Sequence, residues 1–312
     1  MAGPLSGLTP PGPRLGLRHE ALLYRGADEL LERVVPFVEA GVAAGEAALL
    51  FVPPLTRALL EPALARLRGR GVRLEPIERL GRNPARLIPA WAAAARRCAA
   101  EGRRLRGVGE PAWPGREAAE LEECRRHEEL LDFAFAGRPR WSLLCLYDAA
   151  RLDAATVEAA RRAHAGGGAR ARAAAAAAAF GGELPPGPRE AAALAFDEGE
   201  LGTVREAVAV MSAAVGMAPE RAELLVLAAN EVATNSVRHG GGRGELRLWA
   251  EGGAAVCEVR DRGRFTDPLV GRVRPRPDQD GSRGLWIANQ VCDLVQIRSG
   301  ARGSTVRLRM RT

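Results

Sequence analysis

The chain has 312 residues, a formal charge of +7, 47% hydrophobic residues and 4% aromatic ones. That length suits two ordinary domains better than one, and each half is long enough to bury its own core. All 45 basic residues are Arg, which excludes a Walker-type phosphate loop with its Lys, a Schiff-base lysine and a lysine general base.

Charge is spread along the chain: 25 Arg against 21 acids over 1–164, 3 against 2 over 165–190, and 17 against 15 over 191–312. A nucleic-acid binder gathers its charge on one face or segment, so direct binding of DNA or RNA is not expected. The five cysteines (Cys98, Cys124, Cys145, Cys257, Cys292) form no CxxC pair, the pattern of reduced cytoplasmic thiols. Residues 1–14 are rich in Pro and Gly and read as a disordered leader, with no charged start and apolar run of a signal peptide. No apolar run is long enough to span a bilayer, so the expectation is a soluble, cytoplasmic protein with no membrane partner.

From 15 to 164, short apolar strands alternate with amphipathic helices. Strands are expected at Ala47–Val52, Gly71–Leu74, Leu105–Val108 and Trp141–Leu146. Helices are expected over 27–44, 55–69, 84–101, 117–136 and 153–164. Strands separated by helices of this length predict a parallel α/β sheet. Residues 165–190 then change composition. AGGGARARAAAAAAAFGGELPPGPR reads as an Ala/Gly/Pro-rich flexible linker whose Ala run has no stripe with which to dock.

Over 191–312 the order differs. Helices are expected over 201–216 and 219–239, then strands Glu245–Ala250 and Ala254–Arg260. A polar Arg- and Pro-rich stretch, 262–283, leads to a helix over 284–291 and strands Asp293–Arg298 and Thr305–Met310. Helices grouped against an antiparallel sheet make an α/β sandwich.

Four features of this segment carry chemistry. Glu231 and Asn235 sit four apart on one face of the second helix, opposite an apolar stripe of Leu224, Leu227, Ala228 and Val232. A carboxylate beside an amide oxygen can hold Mg²⁺, or orient a hydroxyl and take its proton. A strand ends in Arg260-Asp261-Arg262-Gly263, where a carboxylate can accept from an exocyclic amine and the missing side chain admits a flat ring. Gly281-Ser282-Arg283-Gly284 opens a helix whose free N–H groups and dipole suit a phosphate. Gly303-Ser304-Thr305 starts the last strand with a hydroxyl. Taken singly, these also read as a solvated helix face, a turn and a Gly-rich loop; their order and spacing set them apart.

In that order the segment resembles the GHKL superfamily of ATPases, which includes gyrase and the histidine kinases and shares the Bergerat nucleotide fold. NEVATNSVRHG is most similar to the anti-sigma factor and serine kinase branch, since histidine kinases usually carry Asn at the position of Glu231. The resemblance implies that Glu231 is the general base for a serine hydroxyl, that Asn235 ligates Mg²⁺, and that Asp261 reads the adenine amine beside Gly263. It implies Gly281, Arg283 and Gly284 around the triphosphate of ATP and Thr305 at the adenine end. Residues 264–280 would be a lid whose arginines (Arg264, Arg272, Arg274, Arg276) meet phosphates or keep a mobile loop soluble. Arg264 after Asp261-Arg262-Gly263, the Pro-rich lid and Ser282 depart from the family pattern, which bears on lid closure and turnover more than on binding.

The stretch from Arg18-His19-Glu20 to His164 resembles the MEDS sensory domain of bacterial regulators, through Val35-Pro36-Phe37, Arg82-Asn83-Pro84, Gly109-Glu110-Pro111-Ala112-Trp113-Pro114, Cys124-Arg125-Arg126-His127-Glu128 and Cys145-Leu146-Tyr147-Asp148. The resemblance implies a RecA-like fold and a small-molecule signal. His19, Glu110, Trp113 and His127 are the candidate ligand residues. Cys124 and His127, three apart on a helix, could share a metal, but a buried thiol beside a surface imidazole is the plainer reading, as no second pair lies near. His127-Glu128 also matches the phosphoacceptor pair of histidine kinases, though inside a domain rather than on a helical hairpin.

The expected protein is a cytoplasmic regulator. A sensory domain controls an ATP-binding anti-sigma or serine/threonine kinase module that acts by partner switching in transcription. A sigma factor or its antagonist protein would be the partner, and a homodimer is expected from the habit of the branch. The alternative is a non-catalytic ATP-dependent binding switch, with histidine autokinase activity third.

Overall fold

The computed structural model describes residues 16–165, 169–275 and 283–312. The expected leader, residues 276–280 of the expected lid with Arg276, and Gly281 and Ser282 lie outside the described residues.

Five strands, Leu17–Tyr24 (β1), Ala47–Val52 (β2), Val72–Pro76 (β3), Leu105–Gly109 (β4) and Trp141–Asp148 (β5), form a sheet in the order β1-β5-β4-β2-β3. Every pairing in it is parallel. Ala27–Ala43 (α1) and Pro54–Ala63 (α2) cover one face, where Leu30, Val34, Val38 and Leu60 meet Leu22, Leu50 and Leu146. Leu87–Ala100 (α3), Ala118–Ala134 (α4) and Ala154–Ala163 (α5) cover the other, burying Trp91, Leu131 and Ala160 with Phe51, Trp141 and Leu143. Burial on both faces explains why β2 and β5 read as continuous apolar runs. β1 was not expected. It runs from three polar residues, Arg18 to Glu20, into an apolar end at the edge of the sheet, so it is neither a hydrophobic block nor a clean alternation. Only Arg25 and Gly26 separate β1 from α1, too short for a phosphate-cradling loop, in keeping with the absence of Lys.

The Ala-rich segment expected as an undocked linker is instead a helix, Ala169–Ala178 (α6), lying against α4. Polar capping holds it in place of a hydrophobic stripe: Arg126 donates to the carbonyls of Ala178 (3.3 Å), Ala179 (3.1 Å) and Gly181 (2.7 Å). These carbonyls lie at the end of the helix and in the turn that follows it.

The second sheet joins Ala192–Phe196 (β6), Gly244–Glu251 (β7), Ala254–Asp261 (β8), Leu294–Gly300 (β9) and Gly303–Arg311 (β10) in the order β6-β7-β8-β10-β9, all antiparallel. Leu201–Ala214 (α7), Pro219–His239 (α8) and Arg283–Val291 (α9) pack on one face around Val204, Leu225, Val232, Val259, Leu285 and Leu308. The buried stripe of α8 is Leu225, Ala228, Ala229, Val232 and Ala233, whereas Leu224 and Leu227 are 38% and 41% exposed. The expected stripe was rotated by about one residue, because the small alanines, not the leucines, let α8 approach the sheet closely.

The two halves touch through polar contacts. Asn83 donates to Asn289 Oδ1 (2.9 Å) and Arg86 to the carbonyls of Asn289 (2.7 Å) and Cys292 (2.8 Å), so the turn before α3 grips the end of α9. The carboxylate of Glu123, 1% exposed on α4, faces Arg298 (2.9 Å) and Arg272 (3.2 Å) of the second half and Arg126 (3.8 Å) of its own helix. Glu117 pairs with Arg309 (2.6 Å) and Arg311.

Candidate functional site

Members of three of the four expected residue groups line a cleft of about 270 Å³ between α8, β8, β10, α9 and the segment after Asp261, while Glu231, Arg283, Gly284 and Thr305 lie outside its lining. Asn235, Asp261, Gly263 and Arg264 line it, with Phe265, Val270, Leu285, Ser304 and Val306. Its apolar walls with a few fixed polar groups suit a flat, partly polar ligand.

Asp261 ends β8 half-buried. One carboxylate oxygen accepts from Ser236 Oγ (2.6 Å) and the other from the Gly263 amide (2.8 Å). Each oxygen keeps a lone pair for a ligand donor, and the two bonds fix the plane of the group. Gly263 is needed for close approach: a Cβ there would lie 2.7 Å from the His239 carbonyl oxygen and 3.0 Å from Gly240 Cα. Gly240 is under the same constraint, at 2.5 Å from Asp261 Cγ and from the Ser236 carbonyl. Paired glycines let the end of α8 meet the end of β8, which brings the Asn235 turn to Asp261.

Glu231 and Asn235 lie on one face of α8, as their spacing predicts, and both face the start of α9. A Cβ on Gly284 would sit 2.8 Å from Glu231 Oε2 and 3.0 Å from Asn235 Nδ2. The missing side chain therefore lets the start of α9 pack directly against Glu231 and Asn235. Arg283 is exposed at the first position of α9, next to Gly284 in the chain.

Two expectations are corrected. Thr305 is not on the cleft wall. Along β10 the side chains alternate, and Ser304, buried and directly across from Asp261, takes the position expected for Thr305. Ser304 Oγ donates to the Gly263 carbonyl (2.8 Å) and meets Ser299 Oγ (3.1 Å). A hydroxyl was expected there, but the sequence did not set which of two adjacent hydroxyl residues faced inward. Nor do the lid arginines act together: Arg264 lines the cleft, Arg274 is exposed, and Arg272 turns away to Glu123 of the first half. Burial pushes the Arg272 guanidinium below its ordinary pKa. Ser236 and Ser299 were missed; only the position of Ser236 directly after Asn235 could have signalled one of them.

In the first half the four candidate ligand residues do not form one group. Glu110, at the carboxyl end of β4, accepts from Thr56 Oγ1 (2.6 Å) and Tyr24 Oη (3.1 Å). Burial raises its pKa to about 7. Trp113 stacks under the Arg116 guanidinium, 3.6 Å from its ring centroid, which places it as a packed loop residue. His19 and His127 lie elsewhere, around Glu128: His19 Nε2 is 3.0 Å from Glu128 Oε2 and His127 Nε2 is 3.9 Å from Oε1. His127 is 1% exposed, and burial lowers its pKa to about 3, so it is a neutral interior imidazole rather than an exposed phosphoacceptor. Cys124 donates to the Pro111 carbonyl (3.1 Å) and does not pair with His127.

Residues 18–165 match the family described as MEDS, methanogen/methylotroph, DcmR sensory domain, and residues 194–310 match the histidine kinase-like ATPase domain. No curated protein matches the chain. Among solved structures, the RsbU and RsbW domains of Rv1364c from Mycobacterium tuberculosis align at 23% identity with a TM-score of 0.29, over 38% of this chain and 32% of that one. The chain thus spans about a third of that relative's length. Among the described residues no helix is long and apolar enough to cross a membrane. The chain thus joins a segment that matches the MEDS family to one that matches the histidine kinase-like ATPase domain.

Proposed function

We propose that the second half is a Mg-ATP-binding module of the anti-sigma factor and serine kinase type, governed by the first half. The observation that carries this reading is the cleft that Asp261, Gly263, Asn235 and Ser304 line together, with Glu231 one turn of α8 from Asn235 and both side chains against Gly284. Asp261, held by Ser236 and Gly263, accepts from the adenine amine, and Ser304 supports that end through Gly263. Asn235 would hold Mg²⁺, whose charge offsets that of the phosphates. Arg283 and Gly284 at the α9 N-terminus face the triphosphate, and Gly281 precedes them in the chain. Glu231 takes the proton of a partner serine as its oxygen bonds to the γ-phosphorus; the bond to the bridging oxygen breaks and ADP leaves. The partner would be a sigma factor or an antagonist protein, and the compartment the cytoplasm.

Control by the first half has a physical route. Arg126 on α4 holds the segment 178–181, and Phe180 of that segment meets Phe265 of the cleft with ring centroids 5.7 Å apart. Asn289, gripped by Asn83, itself donates to the carbonyls of Gly271 (3.0 Å) and Leu285 (3.1 Å). Movement of α4 or of the Asn83 turn therefore reaches both the segment after Asp261 and α9.

The second reading is an ATP-dependent binding switch without transfer. Arg272 favours it, since its pairing with Glu123 removes one arginine from the phosphates. Calorimetric titration of Mg-ATP into the full chain tests the site: Asp261→Asn should weaken binding about 10- to 100-fold, the loss of a charge-assisted hydrogen bond of about 1.5–3 kcal/mol. Equal affinity in parent and variant would remove Asp261 from the adenine site. Glu231→Gln should keep ATP affinity and abolish phosphate transfer to serine; transfer that persists would overturn the role of Glu231.

A further inference from the structure

The candidate ligand residue His19 belongs to a cluster that its neighbours in sequence do not reveal. His19 on β1 and Cys145 on β5 lie on adjacent parallel strands, and both side chains rise from the face covered by α4 and α5. His19 Nε2 is 3.3 Å from Cys145 Sγ and 3.0 Å from Glu128 Oε2 of α4. His164, which closes α5, brings its Nε2 to 3.2 Å from the same Glu128 oxygen. One atom from each of the four lies within 4.8 Å of every other. The two imidazole rings are 4.1 Å apart, centroid to centroid.

We infer that His19, Glu128, Cys145 and His164 form a buried four-coordinate site for a divalent transition-metal ion of the zinc class.

Donor chemistry, orientation and charge each support it. Two imidazoles, one thiol and one carboxyl make the mixed N/S/O set that borderline-soft ions such as Zn²⁺ take. His164 Nδ1 bonds the Ala160 carbonyl (2.7 Å), which fixes the proton on Nδ1 and leaves the Nε2 lone pair aimed inward. Metal-binding histidines are oriented by this kind of outer bond. His164 Nε2, although 3.2 Å from the carboxylate, is out of line for a hydrogen bond, and Glu128 Oε1 also lacks a partner. Buried polar atoms left this way are costly without a further group. The side chains of His19, Glu128 and His164 are 2%, 3% and 5% exposed, and Cys145 is 1% exposed. A divalent ion with one carboxylate and one thiolate is neutral overall, as a buried site requires.

Binding replaces the Cys145 thiol proton, which passes to solvent, and forms one metal–sulfur bond with no change of oxidation state. A largely apolar cavity of about 340 Å³ between α4 and α5 reaches one of the four, with Glu128 and Tyr147 in its wall.

The test uses the full chain freed of metal by a chelator and titrated with Co²⁺ as a spectroscopic stand-in. The expected result is saturation at one equivalent with tetrahedral visible bands and a thiolate-to-cobalt band in the near ultraviolet, all bleached by one equivalent of Zn²⁺. Cys145→Ser should lose the thiolate band, and His164→Ala should weaken binding at least about 10-fold. A folded chain that takes up no stoichiometric Co²⁺, or a thiolate band that survives Cys145→Ser, overturns the assignment. X-ray absorption of the Zn²⁺-loaded parent supplies a check without any substitution: one sulfur and three N/O neighbours support the site, and any other sulfur count refutes it.

Discussion

Replacing Glu110 by Gln should remove a pH dependence of stability that the fold builds into one carboxyl. Glu110 is 1% exposed at the end of β4, bonded by Thr56 and Tyr24. Burial, opposed only partly by those two bonds, raises its pKa from 4.5 to about 7. In the unfolded chain the group loses its proton near the lower value. Between the two values the folded chain holds a proton that the unfolded chain has released, so stability falls as pH rises and levels off above the folded pKa. Raising the pKa from 4.5 to about 7 amounts, at ~1.4 kcal/mol for each tenfold change in acidity, to about 3.5 kcal/mol across that window. Gln carries no titrating proton and should flatten this part of the profile; its one amide oxygen accepts from one of the two hydroxyls, and its amide nitrogen donates to the other, which turns to accept. Its fixed cost, from the amide hydrogen left without a partner, is the same at every pH. Urea unfolding followed by tryptophan fluorescence at about pH 5 and about pH 8 reads the difference. The variant should gain about 2.5 kcal/mol on the parent between the two conditions. Parent and variant profiles that stay parallel would refute the reasoning, and would mean that Glu110 is ionised in the fold.

Glu123→Gln leaves the guanidinium groups of Arg126, Arg272 and Arg298 without the carboxylate they share. The expected cost is about 3–5 kcal/mol, seen as a lower urea midpoint; an unchanged midpoint would show that the cluster contributes nothing to holding the halves together. Ser304→Ala and Thr305→Ala should differ sharply. The first loses bonds to Gly263 and Ser299 and should weaken Mg-ATP binding by about 1 kcal/mol, roughly fivefold, while the second leaves it unchanged. The reverse order by calorimetry would restore Thr305 to the cleft.

Much of the architecture was legible because it rests on local patterns. Ala47–Val52 and Trp141–Asp148 are continuous apolar runs flanked by amphipathic helices, and a parallel sheet is the arrangement that buries such runs on both faces. β1 and β6 were not legible. Both are edge strands, and β6 is a short Ala-rich stretch with three exposed residues of five, so neither carries a strong periodic signal. The docking of α6 was hidden for a related reason. It depends on Arg126 capping carbonyls about 50 residues away, an interaction with no pattern along the chain.

The site divides in the same way. Glu231 and Asn235 share a helix face by spacing alone, and Asp261 and Gly263 were placed by a strand running into a glycine turn. Those relations span a few residues, within which helix and strand geometry leave little freedom. Which hydroxyl of Ser304 and Thr305 faces the cleft depends on the register of β10 against β8. Whether Arg272 meets a phosphate or Glu123 depends on the approach of the other half. The His19, Glu128, Cys145 and His164 cluster joins residues 109 and 126 positions apart, brought together by strand order and by where two helices end. By itself the sequence determined the kinds of element and the residues sharing one turn or one strand, because backbone geometry acts over short distances. Only the tertiary structure decided which distant side chains meet, because burial and pairing are settled when the surfaces pack.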